Sequence, residues 1–292
     1  MLTRLLSAYP ALLKLRASIF CVTIVFLQAG ELQGQQYIEP RVSQSSGLEH
    51  RAKVIGNDTR RALNQLEENA TTSVGYFYES NDTTKQVFGN GVAINKKFIL
   101  TAGHLFVEDG EWVPEMKVAG KIQFSRISFV LPVCRRTYQV KNISILTHNA
   151  RLRPDKDLAL VELASPICDG VKPGTLEALG SIDLADLKKN GSIFIPAFRN
   201  LGASKQPTKS VGYGEFVGDF YRGEEGGWAS VTHTVDTEPG TSGAPIFNTF
   251  AELSIFAIVK GGADDNELNV AVMITPAVLQ WVKKTVDEHQ RP

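Results

Sequence analysis

The feature that most constrains this chain is a rhythm of a dozen short apolar runs, rich in β-branched and aromatic residues and separated by glycine-rich or polar turns. They fall at 74–78, 89–94, 98–101, 121–130, 137–145 and 158–163, and again at 192–198, 210–216, 228–235, 244–247, 255–259 and 270–274. Runs this short, closed by such turns, read as strands. Helical period appears only late: after Pro276, apolar residues recur at Val278, Leu279, Val282 and Val286, which predicts a short helix with proline in its first turn. The pattern implies an all-β protein of two small antiparallel barrels with a C-terminal helix. There is no internal repeat.

The N-terminus differs in kind. Arg4, Lys14 and Arg16 precede an apolar run over 19–27, and Ala29-Gly30 follow. This is the layout of a secretory signal peptide over 1–30. An uncleaved anchor is the alternative, but the run is well short of the ~20 residues that cross a bilayer. The expected product is a secreted, extracellular or periplasmic protein with no lasting membrane association. Residues 31–53 are polar, rich in Gln and Ser, and read as a propeptide or linker; a tail that is never cut is the other reading. The basic cluster His50-Arg51-Ala52-Lys53 marks a processing site, after which Val54-Ile55-Gly56 begins the domain at 54–292.

Export bears on the cysteines. Cys21 leaves with the signal peptide, so Cys134 and Cys168 remain. An even pair in an exported protein predicts a disulfide, two buried free thiols being the alternative. Lys+Arg and Asp+Glu balance at 31 each, which argues against a nucleic-acid partner. No Cys/His cluster has zinc-ligand spacing, so neither metal nor cofactor is expected.

Three segments carry chemistry. In Phe98-Ile99-Leu100-Thr101-Ala102-Gly103-His104 an apolar strand ends in small residues that let an imidazole face a cleft. In Asp155-Lys156-Asp157-Leu158-Ala159-Leu160-Val161 an aspartate heads an apolar strand, where it can be held against a histidine ring. In Glu238-Pro239-Gly240-Thr241-Ser242-Gly243-Ala244-Pro245 a serine sits in a glycine-rich turn. A serine hydroxyl is a weak nucleophile until a base removes its proton. His104 is the candidate base and Asp157 the group that fixes its tautomer. The N–H groups of Gly240 and Ser242 are the candidate oxyanion hole, since glycine lets the backbone turn its N–H inward. Each segment alone is common; their co-occurrence in the order His, Asp, Ser is specific. His148, His233 and His289 are read as surface or packing residues.

On these motifs the chain resembles the trypsin-like serine proteases, and within them the bacterial glutamyl endopeptidases. Leu100-Thr101-Ala102-Gly103-His104, Asp157-Leu158-Ala159-Leu160 and Gly240-Thr241-Ser242-Gly243-Ala244-Pro245 match the three catalytic motifs. Val54-Ile55-Gly56-Asn57-Asp58-Thr59-Arg60 resembles the start of the mature enzymes. The resemblance implies a chymotrypsin-like fold of two six-stranded barrels, about 70–165 and 190–275, with a helix over 276–287. It also implies a monomer that hydrolyses protein or peptide substrates. An inactive protease-fold binding protein is the competing reading, although such proteins usually lose a triad member.

The specificity residues depart from the pattern. Gly261-Gly262 fall where the family has a pocket wall. Two residues before that wall the glutamyl branch has a histidine that binds an acidic side chain, and here the residue is Val259. Thr237, a second pocket residue, is present. Lys260 supplies a positive charge to the pocket or is a solvated lysine on an edge strand. Asp236 stands where trypsin-type enzymes hold the aspartate that selects Lys and Arg. Thr241 replaces the aspartate that pairs with the new N-terminus in trypsin-type activation, which leaves the Val54 amine as a group that could lie near the pocket.

Overall fold

The first six runs form strands β1 (Val74–Glu79), β2 (Gly89–Ala93), β3 (Phe98–Thr101), β4 (Ile127–Leu131), β5 (Arg136–Ile145) and β6 (Ala159–Leu163). They pair antiparallel as a closed barrel in the order β5-β6-β3-β2-β1-β4. The second six form β7 (Ile193–Arg199), β8 (Thr208–Gly214), β9 (Ala229–His233), β10 (Pro245–Phe247), β11 (Ser254–Gly262) and β12 (Asn269–Met273). Their order is β8-β7-β10-β11-β12-β9. An antiparallel bridge between Phe216, just past β8, and His233 of β9 links the two ends of this circuit. Bonds from Val217 N–H to Thr232 O (3.1 Å) and Thr234 N–H to Glu215 O (3.0 Å) support the closure.

This computed structural model describes residues 54, 58–82, 86–149, 153–178, 192–200, 206–217, 221–222, 227, 229–247, 254–262 and 268–291. All belong to the unit Gly47–Pro292. The signal peptide expected over 1–30 and the propeptide expected over 31–53 lie outside the described residues.

Alternation along each strand divides its side chains between two cores. Ile99 and Val161 point into the first barrel with Phe77, Phe106, Phe129 and Tyr138. Their neighbours Phe98, Leu100 and Leu160 face the second barrel, where they meet Phe198, Phe247 and Ile258. Both faces of β3 and β6 are therefore covered, which is why their sequences read as unbroken apolar runs. Ile195, Phe216, Val231, Ile246, Phe256 and Val259 fill the second barrel.

The terminal helix, α2 (Pro276–Gln290), is capped by the Thr275 hydroxyl, which accepts from Val278 N–H. Val278 and Val282 bury against the inter-barrel core. At the far end His289 Nε2 lies 3.2 Å from Asn142 Nδ2, and His289 Nδ1 lies 3.4 Å from Glu162 Oε2. The last element of the second half thus docks on β5 and β6 of the first.

Cys134 and Cys168 form the expected disulfide, with Cα atoms 5.8 Å apart. It ties the β4–β5 turn to the segment after β6. One strand expectation needs correcting. Residues 121–130 are not one strand: Lys121–Ile122 pairs with Lys117–Val118, a 3₁₀ turn Phe124–Arg126 follows, and only then does β4 begin. Gln123 N–H donates to Met116 O (2.8 Å), and the Phe124 ring meets Trp112 edge-on at 5.4 Å. The apolar residues there seal a loop instead of extending the barrel. A helix that the strand rhythm gave no sign of, α1 (Gln65–Ala70), starts with a capping box: Asn64 and Glu67 each bond the other's backbone N–H.

Candidate active site between the barrels

The pairing of β3 with β6 sets Thr101 opposite Ala159. The chain then turns at Gly103–Leu105 and, on the other side, at Pro154–Lys156. These turns carry His104 and Asp157 to each other. His104 N–H donates to Asp157 Oδ1 at 2.7 Å, and His104 Nδ1 lies 2.6 Å from Asp157 Oδ2. A Cβ on Gly103 would sit 3.1 Å from Asp157 Oδ1, so the small residue before the histidine is what allows this approach. A carboxylate only accepts, so Nδ1 carries the hydrogen and a neutral ring keeps its lone pair on Nε2.

Asp157 has no exposed surface. Burial pushes its carboxyl up, but the charge of His104, the two hydrogen bonds from that residue and the charge of Lys260 outweigh burial and hold it below the usual carboxylate range. The His104 side chain is 34 % exposed, so one side of the ring remains open to a ligand.

The serine turn is built from short local bonds. Thr241 N–H donates to Glu238 O (2.9 Å), and Gly240 sits at φ +93°. Proline second and a positive-φ glycine third are the requirements of a type II turn. Glu238 N–H donates to the Thr241 hydroxyl (3.0 Å). Gly243, at φ +82°, donates its N–H to Val259 O (2.8 Å). A Cβ there would come within 2.1 Å of Asn90 O and Thr101 Oγ1, so the turn rests directly on β2 and β3. The Ser242 hydroxyl donates to the carbonyl of Lys260 at 2.9 Å. Among the described residues the N–H groups of Gly240 and Ser242 donate to no protein acceptor.

A model of the trypsin-like peptidase domain matches residues 89–253, more than half of the chain. The chain belongs to the trypsin-like peptidases. It is a serine endopeptidase by family. Among solved structures it is similar to a Glu endopeptidase in complex with MPD, at 15% identity and TM-score 0.58 over 80% of this chain and 98% of that one. It is also similar to the VesB protease of Vibrio cholerae, at 14% identity and TM-score 0.54 over 80% of this chain and 68% of that one. Both likenesses are of fold, the chymotrypsin-like double barrel. No curated protein matches the sequence.

In this trypsin-like peptidase the expected pocket residues Asp236, Thr237, Val259, Lys260 and Gly261 are all buried. Val259 has no exposed surface and packs in the core of the second barrel. Thr237 is fully buried, and its hydroxyl has no partner among the described residues. Asp236 is buried, and its Oδ2 accepts from both the N–H (2.8 Å) and the hydroxyl (2.7 Å) of Thr59. Gly261 stands at φ +147° beside a register shift between β11 and β12. Lys260 is not a solvated lysine on an edge strand: β11 runs between β10 and β12, and the residue is 9 % exposed. Arg60 Nη2 lies 3.1 Å from Glu238 Oε2, so Thr59 and Arg60 anchor the N-terminal segment beside the serine turn. Val54 is exposed.

Two residues near the site had not been singled out for these roles. Lys260 acts on Asp157, and Asn90 of β2 bonds the serine turn. A polar residue between two glycines in an apolar run, Gly89-Asn90-Gly91, is the signal that was there to be read. His233, read as a surface or packing residue that could also line a pocket, is fully buried, and burial pushes its imidazole down to about 3. Among the described residues no cluster of three or more His, Cys, Asp or Glu could hold a metal, and no helix is long and apolar enough to cross a membrane.

Proposed function

We propose that the chain is a secreted serine endopeptidase whose catalytic triad is His104, Asp157 and Ser242. The observation that carries this reading is the two-point hold of Asp157 on His104, through the ring nitrogen at 2.6 Å and the backbone N–H at 2.7 Å. It leaves Nε2 as the free base. Ser242 Oγ swings from Lys260 O towards that nitrogen, gives up its proton to it, and attacks the scissile carbonyl carbon. The carbonyl π pair moves onto oxygen, and the resulting oxyanion is received by the N–H groups of Gly240 and Ser242, which have no other acceptor among the described residues. Nε2 then protonates the leaving amine as the C–N bond breaks, which leaves an acyl ester on Ser242. Water repeats the sequence: its proton goes to Nε2, its oxygen attacks the ester, and Oγ takes the proton back as the acid leaves. Asp157, buried and ionised, stabilises the imidazolium formed in each half.

Two features support secretion: a basic segment followed by a short apolar run at the N-terminus, and the Cys134–Cys168 disulfide. Removal of 31–53 would leave Val54 as the first residue, a few residues before Thr59 and Arg60 at the serine turn.

The test is labelling with a fluorophosphonate. The wild type should be modified at Ser242 and should stop hydrolysing casein. Ser242→Ala should fold, resist the label and lose turnover by roughly 10⁴-fold or more. Hydrolysis within tenfold of wild type by pure Ser242→Ala would overturn the assignment and favour an unrelated nucleophile.

A further inference from the structure

Asn90 lies on β2 of the first barrel and has no exposed surface. Its hydrogen-bonding groups are all engaged, and most of the bonds cross to the second barrel. The side-chain Nδ2 donates to Gly240 O at 2.6 Å and to Phe198 O at 3.0 Å. Oδ1 accepts from Phe198 N–H at 2.7 Å. The backbone N–H donates to Ser242 O at 2.7 Å, and the backbone carbonyl accepts from the Thr101 hydroxyl at 2.5 Å. One residue thus grips the carbonyls of both Gly240 and Ser242, and Thr101, three positions before His104, buttresses it from below.

We infer that Asn90 is a positioning residue that fixes the two oxyanion donors from outside the serine turn. The inference rests on the reading of Gly240 and Ser242 given above. The carbonyls of residues 240 and 242 are anchored to Asn90, while the N–H groups of the same two residues are left without acceptors among the described residues. The Gly240 carbonyl belongs to the 240–241 peptide, which lies between the two peptides that carry these N–H groups, and the Ser242 carbonyl to the 242–243 peptide that follows them, so holding both planes fixes the Cα atoms from which the donor peptides are aimed. Gly240 needs this most, because glycine has the widest choice of backbone conformation and no side chain to pack. Preorganised donors of this kind act on the transition state and only weakly on substrate binding.

The bonds to Phe198 join the barrels and have a structural effect of their own, so the test must separate the two roles. Asn90→Ala removes the side-chain bonds to Gly240 and Phe198 and keeps the backbone bond to Ser242 O; Asn90→Asp keeps the shape and the acceptor for Phe198 N–H but loses the side-chain donors to Gly240 O and Phe198 O. Each is measured as folded protein, with active sites counted by fluorophosphonate titration. The expected result for either variant is a fall in kcat of about 10- to 100-fold with KM within threefold. The affinity for a peptide aldehyde, which forms a tetrahedral adduct on Ser242, should fall by the same factor as kcat. A folded variant with kcat and aldehyde affinity within threefold of wild type overturns the inference. So does a loss confined to KM. Failure of both variants to fold also overturns it, in favour of a purely structural role. A wild type that neither labels nor hydrolyses peptides overturns the serine reading itself, a result distinct from all of these.

Discussion

Lys260 and Ser242 are joined by a hydrogen bond from the serine hydroxyl to the lysine carbonyl, 2.9 Å long. The Lys260 side chain belongs to the same neighbourhood, because its charge helps to hold the Asp157 carboxyl down. A residue expected either in the substrate pocket or in solvent is thus tied by its backbone to one triad candidate and by its charge to another.

Removing that charge should alter the pH profile. The Lys260 cation disfavours protonation of the Asp157 carboxylate, so Lys260→Met should let Asp157 take up its proton at higher pH and start the acid-side fall of kcat/KM at higher pH. The carbonyl that meets Ser242 stays in place. An acid limb unmoved, or moved to lower pH, would show that the lysine charge does not reach the pair.

Asp157→Asn should leave the barrels intact and lower kcat by about 10⁴-fold, because the amide can donate to the ring and trap the wrong tautomer. Peptide hydrolysis at fixed pH checks this. A loss under tenfold would remove Asp157 from the mechanism.

His233 should make the protein acid-sensitive. Its imidazole is pushed from 6.5 to about 3 by burial, so between these values the unfolded chain binds the extra proton and the fold does not. Stability is then fully present above about pH 6.5 and is lost as pH falls towards 3, by up to about 1.4 kcal/mol per unit. His233→Leu should flatten this slope in urea unfolding measured across that range. A slope unchanged in the variant would place the acid sensitivity elsewhere.

The Cys134–Cys168 bridge spans 34 residues, and on loop-closure grounds should stabilise by about 3–4 kcal/mol. Cys134→Ser with Cys168→Ser should lower the melting temperature without changing the triad geometry, so kcat should stay within twofold at temperatures where the variant is folded. Equal melting temperatures for the two proteins would refute the estimate.

Strict selectivity for Glu before the cleaved bond is not expected. Val259 offers neither proton nor charge to a buried carboxylate, and leaving such a charge unpartnered is costly. Asp236 is already engaged by Thr59, which argues equally against strict Lys or Arg selectivity. The comparison is kcat/KM on matched peptides with Glu, Lys, Leu or Ala at that position. A preference for Glu above a hundredfold, unchanged in Val259→His, would mean that the carboxylate is bound elsewhere.

Strand rhythm and turn chemistry were local, and local information suffices for them. Phe98-Ile99-Leu100-Thr101 reads as a strand, Pro276 as the opening of a helix, and Glu238 to Pro245 as a glycine-rich turn. The three motifs were legible for the same reason, since each is a short segment whose residue types serve one chemistry. What the sequence did not reveal depends on atoms far apart along the chain. The run at 121–130 looked like a strand because its composition is apolar, yet Met116 and Trp112 draw it into a loop seal. Lys260 looked solvated because lysine usually is, and only the placing of β11 between two neighbours buries it. Asn90 carried only the local signal of a polar residue between two glycines. Its role exists only once β2 lies against residues 150 positions later in the chain, because a hydrogen bond needs its partner within about 3 Å, and that proximity is a property of the packed barrels.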